Sequence, residues 1–428
     1  MPSNTVPEEG SVPSEMRALV LAGKGFDALA VRLVPTPKPG PRQLLARVNA
    51  AGICTSLIKL VEQGSDHPLL GGWDVSRFPL ILGDEGVVTI CEVGSELEKR
   101  YRTGERFATQ PAVDHCPINH RERYRNGGQG IWKVAVGYTL PGHLAEYMLI
   151  PEEVLEAGCL LPLDDSNLPD SHAATAEPLS CVISAQAHHV HLRQDTPLIP
   201  REAFTGLKPG GVTVIIGAGV MGRMHVDLAI SYKPRAIVVS DMIKERLARV
   251  RRLFAERAAK SGIQMVTVDP TETDVKRLVD ELSDWQGADD VIVAAGSHQA
   301  ISGAQALLGK GGVLNLFGGL KKGQDMVPFD TTAIHYRELN ITGSSGGAPW
   351  DVSRALELMA RGELDPSAHI TRIGDLEHSI QFLRMIKNQE MDGKAVVYPH
   401  RRTDRILAVD RWEAADERRY LGVEVDRT

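Results

Sequence analysis

The stretch from Val212 to Asp241 constrains the fold of this chain more than any other part of its sequence. It begins with a short apolar, β-branched run, Val212 to Ile216, of the kind that is buried in a parallel sheet. A glycine turn follows, then a helical segment from about Val220 to Ser231 and a second buried strand from Ala236 to Ser240. Strand, turn, helix and strand in this order predict the first unit of a doubly wound parallel sheet.

The turn holds Gly217, Gly219 and Gly222 in the spacing GxGxxG. The first glycine permits a tight turn, the second lets a pyrophosphate approach the backbone, and the third lets the helix pack closely on the strand. The helix directs its free N–H groups and the positive end of its dipole at the phosphates. Glycine turns also occur for packing alone, but here the flanking strands and a terminal acid are present as well. The stretch therefore predicts a dinucleotide-binding site.

Asp241 ends the second strand at about the distance beyond the glycines at which an acid binds the ribose 2′-hydroxyl. A carboxylate there repels a 2′-phosphate, and Met242 rather than an arginine follows it, so the sequence favours NAD over NADP. The residues that we predict to contact the cofactor are Gly217, Gly219, Val220, Met221, Gly222, Asp241 and Arg246.

The length of 428 residues predicts two domains, and 43% hydrophobic with 24% charged residues is ordinary for a globular protein. A net charge of −7 provides no basic surface for nucleic acid or for an anionic membrane. The first residues are polar without an apolar signal core, and no apolar run reaches membrane-spanning length, so we expect a cytoplasmic protein. An odd number of scattered cysteines without a CxxC pair argues against a disulfide framework and a four-cysteine zinc site.

The pattern of apolar and turn-forming residues changes along the chain. The segment from Met16 to about Leu161 consists of short strand-like pieces broken by Gly and Pro, which indicates a β-rich module. Beyond the glycine turn, strands and helices alternate as in a doubly wound sheet. The predicted parts are a flexible tail over 1–15, a β-rich domain over 16–187 and 341–400, a dinucleotide-binding domain over 188–340 and a charged extension over 401–428.

Two segments have no function that follows from the predicted domains. The segment from His188 to Gly211 is polar and contains prolines, so we predict a connecting loop. Its histidines, His188, His189 and His191, suggest a metal site as one alternative, but a solvent-exposed polar turn is the interpretation that we favour. The charged extension over 401–428 is either a solvated tail or an arm that contacts another subunit.

Three short motifs lie in and just after the β-rich part: GICTSL at 52–57, LGDEG at 82–86 and AEPLSC at 176–181. Followed by GAGVMG, they resemble the zinc-containing alcohol and polyol dehydrogenases of the medium-chain dehydrogenase/reductase family. The segment VGYTLPGHLAEYMLIP at 136–151 is similar to the L-sorbose-1-phosphate reductase group, beside the sorbitol and threonine dehydrogenases. The resemblance covers about Met16 to Pro399. It implies an α/β protein with a β-rich, GroES-like catalytic domain and a Rossmann domain with a doubly wound parallel sheet.

The resemblance implies roles for the motif residues. Cys54 would be a catalytic zinc ligand, Ser56 would pass the substrate proton away, and Glu177 would be a further ligand. Glu85 would be a neighbouring or alternate ligand, and we also count it among the catalytic residues. Lys59 stands where a relay histidine is often found, so it shuttles a proton, holds an anionic substrate or is a surface lysine. Such donors fit a catalytic zinc, which has three protein ligands and one open position.

Asp84 departs from the family pattern, in which the second motif reads GHE. A carboxylate in place of a neutral imidazole adds a negative charge, which makes a bound Zn²⁺ a poorer Lewis acid. An oxygen-richer ligand set also shifts the preference toward harder ions. The alternatives are a weakly held zinc, another ion or an empty site. We expect a bound metal with Cys54, Asp84, Glu85 and Glu177 as its ligands.

The family's structural-zinc lobe has four closely spaced cysteines, but the matching segment DHCPINHRERYRNGG offers only Cys116. We expect a metal-free polar loop there, and an improvised site with His115 and His120 is the alternative. Three arginines of this loop are either solvated or bind the phosphate of a sugar; they are Arg121, Arg123 and Arg125.

Together, the motifs and the resemblance predict an NAD-dependent, metal-assisted oxidoreductase. It would exchange a hydride between a secondary alcohol of a polyol, sugar or sugar phosphate and the nicotinamide ring. Zn²⁺ is the expected metal, and a homodimer or homotetramer the expected assembly, with no nucleic-acid or membrane partner. Two alternatives stay open: a metal-free reductase on the same fold, and a non-catalytic dinucleotide-binding sensor or subunit.

Overall fold

A computed structural model describes residues 12–114, 118–163, 167–320, 323 and 325–422 of the chain. Most of the predicted tail over 1–15 lies outside the described residues, as do the candidate ligands His115 and Cys116. Within the described ranges, none of the helices has both the length and the apolar character that crossing a bilayer requires.

The N-terminal part of the chain is built mainly of short strands, as its short strand-like pieces separated by Gly and Pro predict. The strands are β1 (Glu15–Leu21), β2 (Leu29–Pro35), β3 (Leu44–Gly52), β4 (Leu80–Ile81), β5 (Glu85–Val93), β6 (Arg106–Thr109), β7 (Ala112–Val113), β8 (Val134–Ala135), β9 (Tyr147–Ile150) and β10 (Leu160–Pro162). The α-helices of this part are α1 (Ser56–Gln63), α2 (Glu152–Glu156), α3 (Asp170–Ala174) and α4 (Ala176–Ala187).

A hairpin and a parallel sheet follow. Their elements are β11 (Val190–Arg193), β12 (Glu202–Thr205), β13 (Val212–Ile216), α5 (Val220–Ala229), β14 (Ala236–Ser240), α6 (Lys244–Lys260), β15 (Gln264–Val268), α7 (Val275–Leu282), β16 (Ala288–Val293), α8 (His298–Ala304), β17 (Leu308–Leu316), α9 (Thr331–Arg337) and β18 (Asn340–Gly343). The parallel strands have the order β15-β14-β13-β16-β17-β18. This order reverses beside β13, as in dinucleotide-binding folds. The predicted doubly wound sheet is confirmed.

Helices cover both faces of the parallel sheet. Val214 packs in a cluster with residues of α7 and α8, whereas its neighbour Ile215 packs with residues of α5 and α6. Because successive side chains of a strand point to opposite faces, both faces of β13 are buried. This explains why its sequence is a continuous β-branched run rather than an alternating one.

The chain then returns to the first sheet. The remaining elements are α10 (Pro349–Ala360), β19 (Ile370–Gly374), α11 (Ser379–Lys387), β20 (Lys394–Val397), β21 (Leu407–Ala408) and α12 (Ala414–Leu421). The mixed sheet has the order β10-β6-β5-β3-β20-β19-β21, in which β20 pairs antiparallel with β3. The mixed sheet is therefore assembled from both ends of the chain, although the residues chosen as domain boundaries stay a prediction.

The prediction of an exposed loop after His188 is wrong in two respects. The segment forms the antiparallel hairpin of β11 and β12, and the side chains of His189 and His191 are buried. Nδ1 of His189 and Nε2 of His191 lie 2.6 Å and 2.8 Å from Oδ1 of Asp290. Of the three histidines, His188 alone is exposed. The partner of the buried pair is 101 residues from His189, so no local pattern indicates it.

Of the two alternatives for the C-terminal extension, a solvated tail does not describe α12, which packs on its own chain. Glu417 of α12 is buried against its own chain. Its carboxylate accepts hydrogen bonds from the backbone N–H groups of Asp170 and Ser171 at 2.8 Å and 2.9 Å, and from the Tyr398 hydroxyl at 2.8 Å. Because the first N–H groups of a helix lack intrahelical partners, Glu417 completes the hydrogen bonding at the start of α3. The subunit-contact alternative stays a prediction.

Asp290 is expected to make an acid-sensitive contribution to stability. Burial alone would raise the pKa of its carboxyl, but hydrogen bonds from His189 and His191 lower the pKa to about 2. Compared with about 3.9 in an unfolded chain, this shift stabilises the fold by about 2 to 3 kcal/mol above the unfolded pKa. The stabilisation is lost as the pH falls through the folded pKa.

We therefore expect Asp290→Asn to lower the free energy of unfolding in urea by about 2 to 4 kcal/mol at pH 7. The difference from the wild type should shrink by about 1 kcal/mol between pH 5 and pH 3. Asp284→Asn, at an exposed position, is the control and should change stability by less than about 0.5 kcal/mol. A deficit that is the same at both pH values would contradict this role of Asp290.

Candidate active site

The glycine turn between β13 and α5 has the geometry that the sequence predicts. Gly217 has a φ of +103°, in the left-handed region that favours glycine. A Cβ at Gly222 would lie 1.8 Å from the carbonyl oxygen of Gly217, so a side chain is excluded there. A Cβ at Gly219 would meet no protein atom within 4 Å, so this glycine faces open space. Val220 and Met221 begin α5 beside that space, and both are partly buried.

Asp241 lies at the end of β14, beside the same turn. Its Oδ2 accepts a hydrogen bond from the N–H of Ala218 at 2.7 Å, and its Oδ1 accepts one from the N–H of Ile243 at 2.8 Å. Nη1 of Arg246 lies 3.8 Å from Oδ2 of Asp241. The structure therefore brings all the predicted cofactor-contacting residues to one end of the parallel sheet, where dinucleotides bind in such folds.

The pairing of β3 with β5 brings the first two short motifs together. Gly52 at the end of β3 lies opposite Glu85 at the start of β5. A Cβ at Gly52 would lie 2.1 Å from Oε2 of Glu85, so this glycine makes room for the carboxylate. The ligand atoms of Cys54, Asp84 and Glu85 lie within 4.8 Å of one another. Both carboxylates are buried and the thiol is partly buried.

Glu177, in the first turn of α4, faces the same cluster. Burial raises the pKa of its carboxyl well above the usual range, and the charges of Glu85 and Asp84 raise it further. Its Oε1 accepts a hydrogen bond from the thiol of Cys181 at 3.6 Å. Although the third motif is about a hundred residues from the others in sequence, its glutamate is electrostatically part of the same site.

Lys394 is a residue of this site that the sequence analysis does not identify. Its buried ammonium donates hydrogen bonds to Oε1 of Glu85 at 2.5 Å and to the carbonyl of Ile53 at 3.1 Å. Burial alone would lower its pKa, but the charges of Glu85 and Cys54 raise it, so the side chain is held as a cation. One local hint exists: Lys394 is a charged residue at the start of an otherwise apolar buried strand.

Ser56 is positioned by Asp84. Its hydroxyl donates a hydrogen bond to Oδ2 of Asp84 at 2.6 Å. Burial and the charge of Glu85 raise the pKa of Asp84 to about 6. Burial and the charge of Asp84 also raise the pKa of the neighbouring Tyr138, which therefore stays a neutral phenol. Ser56, Asp84 and Tyr138 form a compact polar group beside the possible ligand atoms.

Lys59 lies apart from this group. It is exposed on α1 and forms no ion pair or hydrogen bond with any residue that the structure describes. Burial lowers the pKa of His67, and the charge of Lys59 lowers it further, so the two side chains lie near each other. The catalytic role of Lys59 stays a prediction.

The chemistry of the cluster fits a divalent cation. Oδ1 of Asp84 and Oε2 of Glu85 are buried and have no hydrogen-bond partner in the described part of the chain. Burial, followed by the charges of Asp84 and Glu85, raises the pKa of the Cys54 thiol well above its usual range. A buried cluster with more acidic groups than cations is costly, and a divalent ion would supply the missing positive charge. The sulfur and oxygen donors suit zinc or a harder ion.

Two family models match the chain, one in each half. The model of an alcohol dehydrogenase GroES-like domain matches residues 40–159, and that of a zinc-binding dehydrogenase matches residues 221–361. The first contains the motifs around Cys54 and Asp84, and the second begins in the glycine turn. The two matches correspond to the strand-rich part and the parallel sheet described above.

Similar proteins cover most of the chain. Mannitol-1-phosphate 5-dehydrogenase of Aliivibrio fischeri (strain ATCC 700601 / ES114) is 34% identical over 395 residues, which are 90% of this chain and 87% of that protein. L-sorbose 1-phosphate reductase of Klebsiella pneumoniae is 29% identical over 341 residues, 77% of this chain and 76% of that protein. A crystal structure assigned as a zinc-binding dehydrogenase from Sinorhizobium meliloti 1021, bound to NADP, has a TM-score of 0.70 and 26% identity and covers 90% of this chain and 100% of that chain.

The glycine turn yields a paired test of dinucleotide binding. Gly219→Ala should leave the melting temperature unchanged, because the added methyl group meets no protein atom, but it should weaken NADH binding at least about tenfold by blocking the backbone. Gly222→Ala should instead lower the melting temperature, because its methyl group collides with Gly217. Calorimetric titration and thermal unfolding measure the two effects. Full NADH affinity in Gly219→Ala would show that the cofactor binds elsewhere.

Proposed function

Because the chain belongs to the zinc-type medium-chain alcohol and polyol dehydrogenase family, we propose that it is an NAD-dependent, metal-assisted oxidoreductase. It interconverts a secondary alcohol of a polyol, sugar or sugar phosphate with the corresponding ketone by hydride transfer. The observation that carries the proposal is the buried cluster of Cys54, Asp84, Glu85 and Glu177 in a chain that also has the glycine turn. A cytoplasmic location and a homodimeric or homotetrameric assembly stay predictions.

The cluster is the proposed metal site, with zinc as the proposed ion. Each of the two adjacent carboxylates has one oxygen engaged and one free: Asp84 accepts from Ser56, and Glu85 accepts from Lys394. Their second oxygens are the buried atoms without a partner among the described residues. When bound, the ion supplies a Lewis acid that lowers the pKa of a substrate hydroxyl.

Ser56 is the proposed proton carrier. Because its own hydrogen is donated to Asp84, the lone pairs of Ser56 Oγ are free to accept a proton from a substrate hydroxyl. The hydrogen that Ser56 already holds can then move to Oδ2 of Asp84, 2.6 Å away. Tyr138 stays protonated beside this pair, and we propose that its hydroxyl donates to the substrate.

NAD is the proposed cofactor, and Asp241 supports the choice. Its carboxylate faces the glycine turn, where a 2′-phosphate would meet a negative charge. Arg246 lies 3.8 Å from Asp241 and partly offsets that charge. We therefore expect a limited rather than an absolute preference for NAD over NADP. When bound, the nicotinamide supplies the hydride acceptor.

A metal-free reductase is the second candidate, favoured by the hydrogen bonds inside the cluster. Asp84 already accepts from Ser56, and Lys394 already neutralises Glu85, so part of the negative charge is compensated by the chain itself. In this case the protonated hydroxyl of Tyr138 would donate to the substrate oxygen without help from an ion. Turnover that is insensitive to chelators would favour this candidate.

The metal proposal predicts one divalent ion per chain in purified protein, measured by plasma mass spectrometry. Cys54→Ala should remove most of the ion and reduce kcat at least about a hundredfold, because the site loses its only thiol ligand. Cys91→Ala is the matched control, since Cys91 is not among the proposed ligands and its thiol donates to the carbonyl of Thr89. Protein without a bound ion, whose alcohol oxidation is not increased by added Zn²⁺, would rule out the metal mechanism.

The cofactor proposal predicts a higher kcat/KM with NAD than with NADP. Asp241→Asn should shift the ratio toward NADP by about tenfold, because it removes the charge that repels a 2′-phosphate while keeping an oxygen that can accept from Ala218. Asp284→Asn, which lies away from the turn, should leave the ratio unchanged. An unchanged ratio in Asp241→Asn would show that this carboxylate does not select the cofactor.

A further inference from the structure

A cavity of about 430 Å³ lies outside the ligand cluster and the glycine turn, and its function is not explained by either. Its polar lining includes His67, Arg125, Asn126, Gln129 and Lys133. These residues come from the loop after α1 and from the arginine-rich loop for which the sequence leaves open a phosphate-binding role.

The three arginines of the loop have different environments. Arg121 donates hydrogen bonds to two backbone carbonyls of its own loop, at 3.2 Å and 3.0 Å. The guanidinium of Arg123 lies 4.7 Å from the centre of the Phe78 ring and 5.4 Å from that of the Trp73 ring. Both side chains are engaged in holding the loop together. Arg125 is the member of the three that lines the cavity.

Arg125 is held in place through its backbone while its guanidinium stays free. Its N–H donates to the carbonyl of Gly71 at 3.0 Å. A Cβ at Gly72 would lie 2.6 Å from Cβ of Arg125 and 3.1 Å from its Nε, so a side chain at 72 would displace the arginine. The guanidinium forms no hydrogen bond or ion pair with any described residue. An unpaired guanidinium at a cavity wall, on a residue whose backbone is held in place, is a typical anion-binding group.

Other charges at the cavity have the same sign. Lys133 lies 5.7 Å from the ring of Trp132 and has no ion pair within the described ranges, and Lys59 lies near the cavity residue His67. The acid of the lining, Asp66, is paired with Lys24 at 3.0 Å. The cavity therefore presents positive charges without compensating acids, in a chain whose net charge is −7.

The cavity is next to the proposed catalytic residues. The ring of His67, in the cavity wall, lies 5.5 Å from that of Tyr138. Tyr138 in turn neighbours Ser56 and Asp84. A ligand anchored at Arg125 and extending past these two rings would place its other end toward the Ser56 hydroxyl.

We propose that this cavity binds the phosphate group of a phosphorylated polyol or sugar, whose reacting alcohol lies at the Ser56 end. The inference rests on the proposed function and specifies its substrate class. A phosphate dianion suits a planar guanidinium that binds two oxygens together with an ammonium, here Arg125 and Lys133. The side-chain amides of Asn126 and Gln129 supply further donors. An unphosphorylated polyol would leave the cations without a partner.

The test compares phosphorylated with unphosphorylated substrates in the full-length enzyme. The panel contains five- and six-carbon polyol phosphates, their unphosphorylated parents and the corresponding sugar acids. The wild type should have a kcat/KM at least about a hundredfold higher for a phosphate ester than for its parent. Arg125→Gln should raise KM for that ester about 10- to 100-fold, and Lys133→Gln about 3- to 10-fold, with little change in kcat or in the parent's kinetics.

Lys99→Gln is the matched control, because it removes one exposed positive charge outside the cavity and should leave all constants unchanged. Unaltered melting temperatures would show that the cavity variants are folded. Equal kcat/KM for esters and parents, or a preference for sugar acids, would overturn the phosphate site while leaving the proposed oxidoreductase function intact.

If no compound of the panel is oxidised, the proposed function fails, and direct binding then decides the cavity. Calorimetric titration with the polyol phosphates and with inorganic phosphate should give binding to the wild type that is at least about tenfold weaker in Arg125→Gln. Absence of binding to the wild type, or equal binding to Arg125→Gln, would reject the site independently of any activity.

Discussion

The buried ion pair of Lys394 and Glu85 is the interaction on which the candidate active site depends. Moving two charges out of water is costly, and further hydrogen bonds to the paired groups offset part of that cost. Lys394 makes such a bond by also donating to the carbonyl of Ile53, the residue before Cys54. A single ammonium thus fixes the carboxylate of one motif and the backbone of another. Without it, the thiol and carboxylates would face one another with no internal cation, at a still higher cost.

The topology of the chain explains why this cation comes from the far end of the sequence. β20, which begins with Lys394, pairs with β3 only after the chain has completed the parallel sheet. Arg223 in the helix after the glycine turn is fully buried and bonds both oxygens of Asp392, at 2.7 Å and 2.9 Å. Asp392 lies two residues before Lys394, so the helix after the glycine turn is tied to the strand that carries the cation of the cluster.

The sequence allows prediction of those parts of the structure that local chemistry determines. The GxGxxG turn needs glycine for steric reasons within a few residues, and its strands are buried runs that can be recognised directly. Cys54 and Glu85 stand in short motifs of a recognisable family. By contrast, the partners of Glu85, His189 and His191 lie about a hundred residues away or more, and each pair forms only when distant strands come together. Long-range pairing of buried charges has no local pattern, which is why these contacts appear only in the structure.

The replacement of the family's histidine by Asp84 has a consequence beyond the charge of the site. A neutral imidazole that ligates a metal through one nitrogen carries a hydrogen on the other, so it cannot accept a hydrogen bond from a neighbouring hydroxyl. A carboxylate can accept on one oxygen and keep the second free. In this chain Oδ2 of Asp84 accepts from Ser56, while Oδ1 is the buried oxygen without a partner in the described structure. The carboxylate therefore orients the Ser56 hydrogen toward Asp84 and leaves Ser56 Oγ as an acceptor, which couples the proposed proton carrier to the proposed metal ligands.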